Sequence, residues 1–390
     1  MRIPKFWLPV FLLTTAVVFF AYQRWQPALS YDFAPQFDGN DYRMIYYYFT
    51  GITNEFDVPF PFHQRIFVPY LASLFGYEII NDFQWVNFAF TLASVITLFF
   101  VWRKLGFSIN WFLAGFFWLL FHWSGLVRLN AFDPITVDVP IYFFQALFLL
   151  LILKRRFIHL LWLAPLATIQ KESFLALIFV LWVYAIWHNY NRQDGFYHIP
   201  TITVALIFAV IAKWVVGFYF EPSTPEKSAF VTLGYHMKQV FVHPDKGLRW
   251  LAAMSLAFGP LLWLSLLNYG KHWFYDNTRN LLVIFSGVYL SFGLLAGGDM
   301  TRIIFLGFPF LATWLMYENQ NLNRKHLFWI GIVSLPLMFL HRQIPDPAFQ
   351  WELWQSFYPE FADIKLVLLI FLYTMFCVVG LYYFTRRKTS

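Results

Sequence analysis

Apolar residues run through this chain in long stretches separated by short polar links, a pattern that predicts helices crossing a membrane. A membrane-spanning helix needs about 20 mostly apolar residues. Twelve segments approach that pattern, at 6–22, 84–102, 109–127, 139–153, 157–170, 174–188, 199–220, 248–268, 281–297, 303–317, 327–340 and 364–384. The fold class expected is all-α: a polytopic transmembrane helical bundle of about 12 spans forming one multi-spanning domain over 1–390. No internal repeat, low-complexity tract or soluble domain is legible.

The polar positions sort by side. With the N-terminus in the cytoplasm, Arg2/Lys5, Arg103/Lys104, Lys154/Arg155/Arg156, Arg192, Lys271/Arg279, Arg324/Lys325 and Arg386/Arg387/Lys388 fall on one face, as the positive-inside rule requires. Both termini are then cytoplasmic. The opposite face receives the long links 23–83, 128–138, 221–247 and 341–363, and two tight connections, "QKES" at 170–173 and "GGDMTR" at 297–302. These outer links carry Asp38, Asp41, His63, Arg65, Asp133, Asp138, Lys171, Glu172, His236, Asp299 and Arg302, so function is expected at the outer face. The first outer link is the longest. Its second half, "PFPFHQRIFVPYLASLFGYEII", mixes charged and aromatic residues as a helix lying in the membrane interface does.

Composition agrees with the pattern. Of 390 residues 59% are hydrophobic and 13% charged, too few polar side chains to cover a soluble globule. The net charge of +7 sits in clusters between apolar segments, so it reads as topology and not as nucleic-acid binding. The single cysteine, Cys377, excludes an internal disulfide or a Cys-based metal site. The N-terminus has the basic start and apolar core of a signal peptide, but Gln23, Arg24 and Trp25 separate that core from the small-residue site "ALS". A retained first helix is expected.

The candidate chemistry begins with "FDGNDYRMIYYYF", which places Asp38 and Asp41 at the outer surface beside an aromatic run. Partial burial raises a carboxyl pKa and makes a base of it. On spacing alone, capping the following helix is an equal reading. "GGDMTR" offers a helix start and Arg302 for a phosphate, or a plain loop in which Asp299 caps a helix and pairs with Arg302. In "QKES", Lys171 and Glu172 either pair with each other or leave Lys171 for an anionic ligand. Arg65 is a candidate anion holder and His63 a candidate proton donor or a surface residue. His236, with Lys238, His243 and Lys246, forms a basic aromatic outer loop suited to a lipid head group. Lys213 is expected to snorkel. Asp38 and Asp41 with Asp133 or Asp138 can assemble an oxygen site for Mg or Mn, whereas no HExxH, P-loop or dinucleotide pattern is present.

These features resemble the GT-C superfamily of integral membrane glycosyltransferases: a first span, a long outer loop opening on an acidic motif among aromatics, an interfacial helix, and many spans. "FDGNDY" resembles the acidic motif, "PFHQRIFVPYLA" the Arg-containing segment after it, and "QKES" and "GGDMTR" charged outer connections of related bacterial proteins. The spacing here is D-x-x-D, where the superfamily has adjacent or once-spaced acids. The resemblance implies transfer of a sugar from a polyprenyl-phosphate or -diphosphate donor to a glycan, lipid or protein acceptor. Asp38, the closer match to the motif, would be the base with Asp41 as substitute or partner, and Arg302, Lys171 and Arg65 would hold the phosphate. It implies no cofactor with certainty, a divalent metal as an option, and a bacterial inner membrane as the setting. A polysaccharide polymerase or ligase would carry its large outer loop late in the chain, and here it comes first. A transporter or flippase would show broken helices and two related halves, and the sequence reads as having neither.

Overall fold

The structure is a computed structural model that describes residues 3–32, 37–192, 195–225, 229–269, 276–295, 299–340 and 363–386. Among the described residues it is helical throughout, with no strand. In chain order the helices are α1 (Trp7–Trp25), α2 (Asp38–Phe49), α3 (Phe67–Ser73), α4 (Ile79–Leu105), α5 (Ile109–Phe121), α6 (Arg128–Phe132), α7 (Val139–Leu153), α8 (Leu160–Gln170), α9 (Ser173–Arg192), α10 (Ile199–Tyr219), α11 (Ala229–Val242), α12 (Asp245–Tyr269), α13 (Asn277–Leu295), α14 (Met300–Leu306), α15 (Phe308–Glu318), α16 (Arg324–Met338) and α17 (Ile364–Arg386).

Each of the twelve apolar segments holds helix, but the structure does not support twelve spans. Among the described residues seven helices are long and apolar enough to cross a membrane, namely α1, α4, α9, α10, α12, α13 and α17, and α14 with α15 makes an eighth if the bent pair is one span. The shortfall has local causes. α5 stops at Phe121 because His122 is extended (φ −63°, ψ 140°), and the chain enters a connection in which every residue from His122 to Pro140 is buried. The segment 303–317 is divided at Gly307, where α14 and α15 meet with a 72° bend and Pro309 opens the second helix.

Broken helices are therefore present, contrary to the sequence reading. α12 kinks at Gly259, whose φ of +61° and ψ of −159° no helix allows, with Pro260 directly after it. At Gly307 the reason for glycine is space, since a Cβ there would lie 2.4 Å from Cγ of Tyr289 on α13.

The chain divides into two compact units: Met1–Ala34 with Trp102–Phe132 and Ser228–Ser390, and Pro35–Val101 with Asp133–Lys227. In the first unit the Trp102 indole donates to Thr313 Oγ1 at 2.9 Å, and its ring packs on Phe112 and Phe116 at 5.6 and 4.8 Å. A buried ion pair ties α13 to α15: Arg279 donates through Nε and Nη2 to the Glu318 carboxylate, which also accepts from Trp314 Nε1 at 3.1 Å. In the second unit α8 packs against α7, α9 and α10. Along α4 the hydroxyls of Thr91, Ser94 and Thr97 donate to the carbonyls of Asn87, Phe90 and Ala93, each at 2.7 Å, so no hydroxyl proton is stranded in an apolar setting.

Over the expected interfacial helix the structure has less helix than the pattern suggested. A short 3-10 turn covers Phe62–Gln64 and α3 spans only Phe67–Ser73. Pro59 and Pro61 restrict the approach, and Gly76 at φ +69° lies in the turn that follows α3. The basic "outer loop" around His236 is largely helix, α11.

Candidate active site

The site is assembled in the second unit from four places in the chain. α2 begins at Asp38 after Phe37 in extended conformation, and among the described residues no side chain caps it. Asp38 and Asp41 thus occupy the first turn, where the helix dipole favours negative charge, and neither serves as the N-cap. Both are half-buried, while Tyr42 and Tyr46 turn inward at 1% and 4% exposure.

Tyr42 brings in Arg65. Its Oη accepts from Arg65 Nη1 at 3.0 Å, and the guanidinium lies 5.0 Å from the Phe62 ring centroid. The other edge of the guanidinium forms a bidentate pair with Glu172, Nε to Oε2 at 2.9 Å and Nη2 to Oε1 at 2.5 Å. Beside it, Lys171 Nζ donates to Asp138 Oδ1 at 2.7 Å, and Gln170 Nε2 donates to the Val137 carbonyl. The adjacent residues Gln170, Lys171 and Glu172 therefore clamp two separate segments. Asn87 on α4 steadies one of them by donating to the carbonyls of Pro134 and Thr136 at 3.3 and 3.2 Å.

The charges act on one another. Burial, then the neighbouring Asp38 charge, pushes the Asp41 carboxyl up to about 6, against the opposing pull of Arg65. Burial drives the Tyr42 phenol far above its usual range despite Arg65. Burial would raise Glu172, but the charge and hydrogen bonds of Arg65, with a smaller effect of Lys171, hold it down at about 2. Burial would likewise lower Arg65, and Glu172 more than compensates, so the guanidinium stays charged. The result is a carboxylate that changes protonation near neutral pH beside a locked cation. Such a group can accept a proton from a hydroxyl.

The sequence-based candidates separate. Asp38, Asp41, Arg65, Lys171 and Glu172 all lie in this unit. Lys171 and Glu172 do not pair with each other: each has a distant carboxylate or guanidinium instead. His63 is fully buried, with its ring 5.9 Å from that of Phe60, and is not a surface residue. Asp299, Arg302 and His236 lie in the first unit. There Arg302 Nη1 donates to Asp299 Oδ2 at 3.1 Å, and Lys246 Nζ lies 3.5 Å from His236 Nδ1. The two glycines of "GGDMTR" lie outside the described residues. Among the described residues no three His, Cys, Asp or Glu side chains converge as a metal site needs, so Asp38 and Asp41 are not joined by Asp133 or Asp138 in an oxygen cage. The sequence reading missed Asp138 as the partner of Lys171. It also missed Asp82, whose Oδ2 accepts from Tyr46 Oη at 2.8 Å and from the Tyr77 amide at 3.2 Å. Asp82 lies in the first turn of α4, just before the apolar segment, where an acid reads as an ordinary helix start and gave no signal of burial.

Comparison of the chain with family models, with curated proteins and with solved structures returned no match.

Proposed function

We propose that the chain is an integral membrane glycosyltransferase of the GT-C kind, moving a sugar from a polyprenyl-phosphate or -diphosphate donor to a hydroxyl acceptor. The observation that carries this reading is Asp41: a half-buried carboxylate in the first turn of α2, poised near pH 6 under the opposing fields of Asp38 and Arg65. The acceptor O–H proton passes to Asp41, the acceptor oxygen bonds to the anomeric carbon, and the bond from that carbon to the phosphate oxygen breaks. The lipid phosphate or diphosphate leaves with the electron pair, and the anomeric configuration inverts. Arg65 and Lys171 are held in place by Glu172 and Asp138, which offset their charge, so their contribution to the departing phosphate would be pre-positioned hydrogen-bond donors. Asp38 keeps the Asp41 proton affinity high. The setting that fits is a bacterial inner membrane with both termini cytoplasmic and α2 on the outer side.

The test is transfer of radiolabelled sugar from a panel of polyprenyl-phosphate and -diphosphate donors by purified wild type, Asp41→Asn and Asp38→Asn, with and without EDTA. Transfer by wild type that disappears in Asp41→Asn while donor binding persists supports the reading. Wild-type rates in both variants would sink it. A second reading, transport of a lipid-linked anion, is favoured by the broken pair α14 and α15 and by the Gly259 kink. It expects donor binding with no turnover by any form, and movement of the lipid between leaflets of a vesicle.

A further inference from the structure

The two helix breaks of the first unit meet at one place. Phe258, directly before the Gly259 kink of α12, stacks on Phe305 and Phe308, which stand on either side of Gly307, with ring centroids 5.6 and 6.1 Å away. A break frees carbonyls, and α5 takes up two of them. Pro260 has no N–H for the Leu256 carbonyl. His122 supplies one instead: its Nδ1 accepts from the Ser124 amide at 3.1 Å, so its Nε2 carries the proton and donates to Leu256 at 3.0 Å. Trp118 Nε1 donates to the Ala257 carbonyl at 2.8 Å. α16 comes close as well, since a Cβ on Gly259 would lie 2.7 Å from Ser334 Oγ, whose own proton goes to the Ile330 carbonyl.

Beside this junction, with Phe258 and Phe308 in its wall, lies a cavity of about 120 Å³ bounded by α5, α12, α15 and α16. The wall offers an entering molecule little to hydrogen-bond. Trp118 Nε1 and Ser334 Oγ already donate to the carbonyls just named, and Trp111 Nε1 is fully shielded. An apolar cavity of about 150 Å³ stays dry and takes up a benzene ring, so this space suits hydrocarbon and not water.

The cavity also reaches the surface. Its wall includes Phe117 of α5, 41% exposed, and Gly331 of α16, where an added Cβ would meet nothing within 4 Å. One turn along α5 from Phe117, Leu113 is 50% exposed, and one turn along α16 from Gly331, Phe328 is 59% exposed. The mouth thus opens between two apolar helix faces. In a chain whose helices cross a bilayer such faces border hydrocarbon, and the group that stands at the mouth is a lipid tail.

We propose that this cavity is a side pocket for the end of an acyl tail of a bilayer lipid, which enters between α5 and α16 and ends against the two helix breaks. The tail fills the space that the bent helices leave unpacked. The head group takes no part, and the pocket belongs to the first unit, whereas Asp41, Arg65 and Lys171 belong to the second. Occupancy is therefore read without any transfer reaction.

The experiment is photolabelling of the full chain in neutral detergent with a monoacylglycerol that carries a diazirine at the end of its tail and no phosphate, followed by peptide mass spectrometry. Adducts are expected on Phe258, Leu315 or Ser334, which are buried and out of reach of a tail lying on the surface, as well as on exposed residues such as Phe328. Unlabelled monoacylglycerol should suppress the buried adducts. Gly331→Trp, which fills the mouth, should reduce them about tenfold and leave those on Phe328, while Gly331→Ala should change neither. Adducts confined to exposed residues in wild type would overturn the pocket, and so would buried adducts that persist in Gly331→Trp. Stronger suppression by farnesol than by the unlabelled acylglycerol would overturn the acyl source. If Gly331→Trp fails to fold, the wild-type map with and without competitor decides the matter.

Discussion

Arg65 holds both carboxylate oxygens of Glu172, a residue 107 positions away, and donates to Tyr42 Oη with the nitrogen left over. Three stretches, at the start of α2, in the 3-10 turn region and between α8 and α9, are fixed by one planar fork. Arg65 and Glu172 are 9% and 30% exposed, so removing one partner strands a charge in a poorly solvated place. Arg65→Met alone should destabilise by about 3 kcal/mol and Glu172→Leu by a similar amount, while the double replacement should recover much of the loss. Thermal unfolding of the four proteins in one detergent measures this coupling, and additive losses would show that the pair acts independently.

The same bridge sets an acid limit. The Glu172 carboxyl sits at about 2 in the folded chain against an ordinary 4.5, so its contribution is complete above pH 4.5 and is lost as pH falls toward 2. Wild type should lose Tm across that window. The Glu172→Gln protein should show a flatter profile there, and identical slopes for the two would show that other carboxylates govern acid unfolding.

Asp41 has the opposite sign. Its folded value of about 6 lies above the ordinary 3.8, so the folded chain binds the proton more tightly and loses stability as pH rises from 3.8 to 6. The full penalty above pH 6 is at most about 3 kcal/mol, and about half that once solvent screening is allowed for. The Asp41→Asn protein should therefore be more stable than wild type at pH 7.5 and no different at pH 4, while losing transfer. The wild-type transfer rate should rise with pH around 6. A variant less stable at pH 7.5 would mean that the carboxylate holds the fold together.

Much of this architecture is legible in the chain, because long apolar runs have few alternatives in a membrane. All twelve predicted segments contain helix, from α1 to α17. The breaks were less readable: Gly259–Pro260 and Gly307–Phe308–Pro309 lie in runs whose mean hydropathy stays high, and hydropathy does not register backbone angle. Asp38 and Asp41 drew attention through local chemistry. Their surroundings did not, since the pairs Arg65–Glu172 and Lys171–Asp138 join positions 107 and 33 residues apart, and nothing in the local pattern selects those partners. His63 stood next to Pro and Phe with no signal that it would be fully buried.

The bend between α14 and α15 gives a steric prediction. A methyl group on Gly307 would meet the Tyr289 ring at 2.4 to 2.9 Å, with both residues buried among aromatic neighbours. Gly307→Ala should cost about 1–3 kcal/mol, the usual range for overpacking. Gly287→Ala, on α13 with nothing within 4 Å of the added carbon, is the control and should be neutral or slightly stabilising. Equal Tm values for the two variants would show that Tyr289 moves aside freely.

Orientation can be tested with the chain's single cysteine removed. Cys377 is buried, so Cys377→Ser should leave a protein without reactive thiols. Asn54 is exposed in the turn after α2, and Tyr190, near the end of α9, is 82% exposed. In the proposed orientation, with the basic links that include Arg192 cytoplasmic and the short helices α5, α7 and α8 crossing along with α4 and α9, the end of α9 is inside and α2 is outside. In intact cells Asn54→Cys should react with a membrane-impermeant maleimide, and Tyr190→Cys should react only after the membrane is opened. Labelling of both from outside would mean that an even number of crossings separates them, as α4 and α9 alone would give, and labelling of Tyr190→Cys alone would invert the topology. The first result would leave Asp41 on the outer face and change only the crossing count, whereas the second would move Asp41 away from the face where a lipid-linked donor is expected.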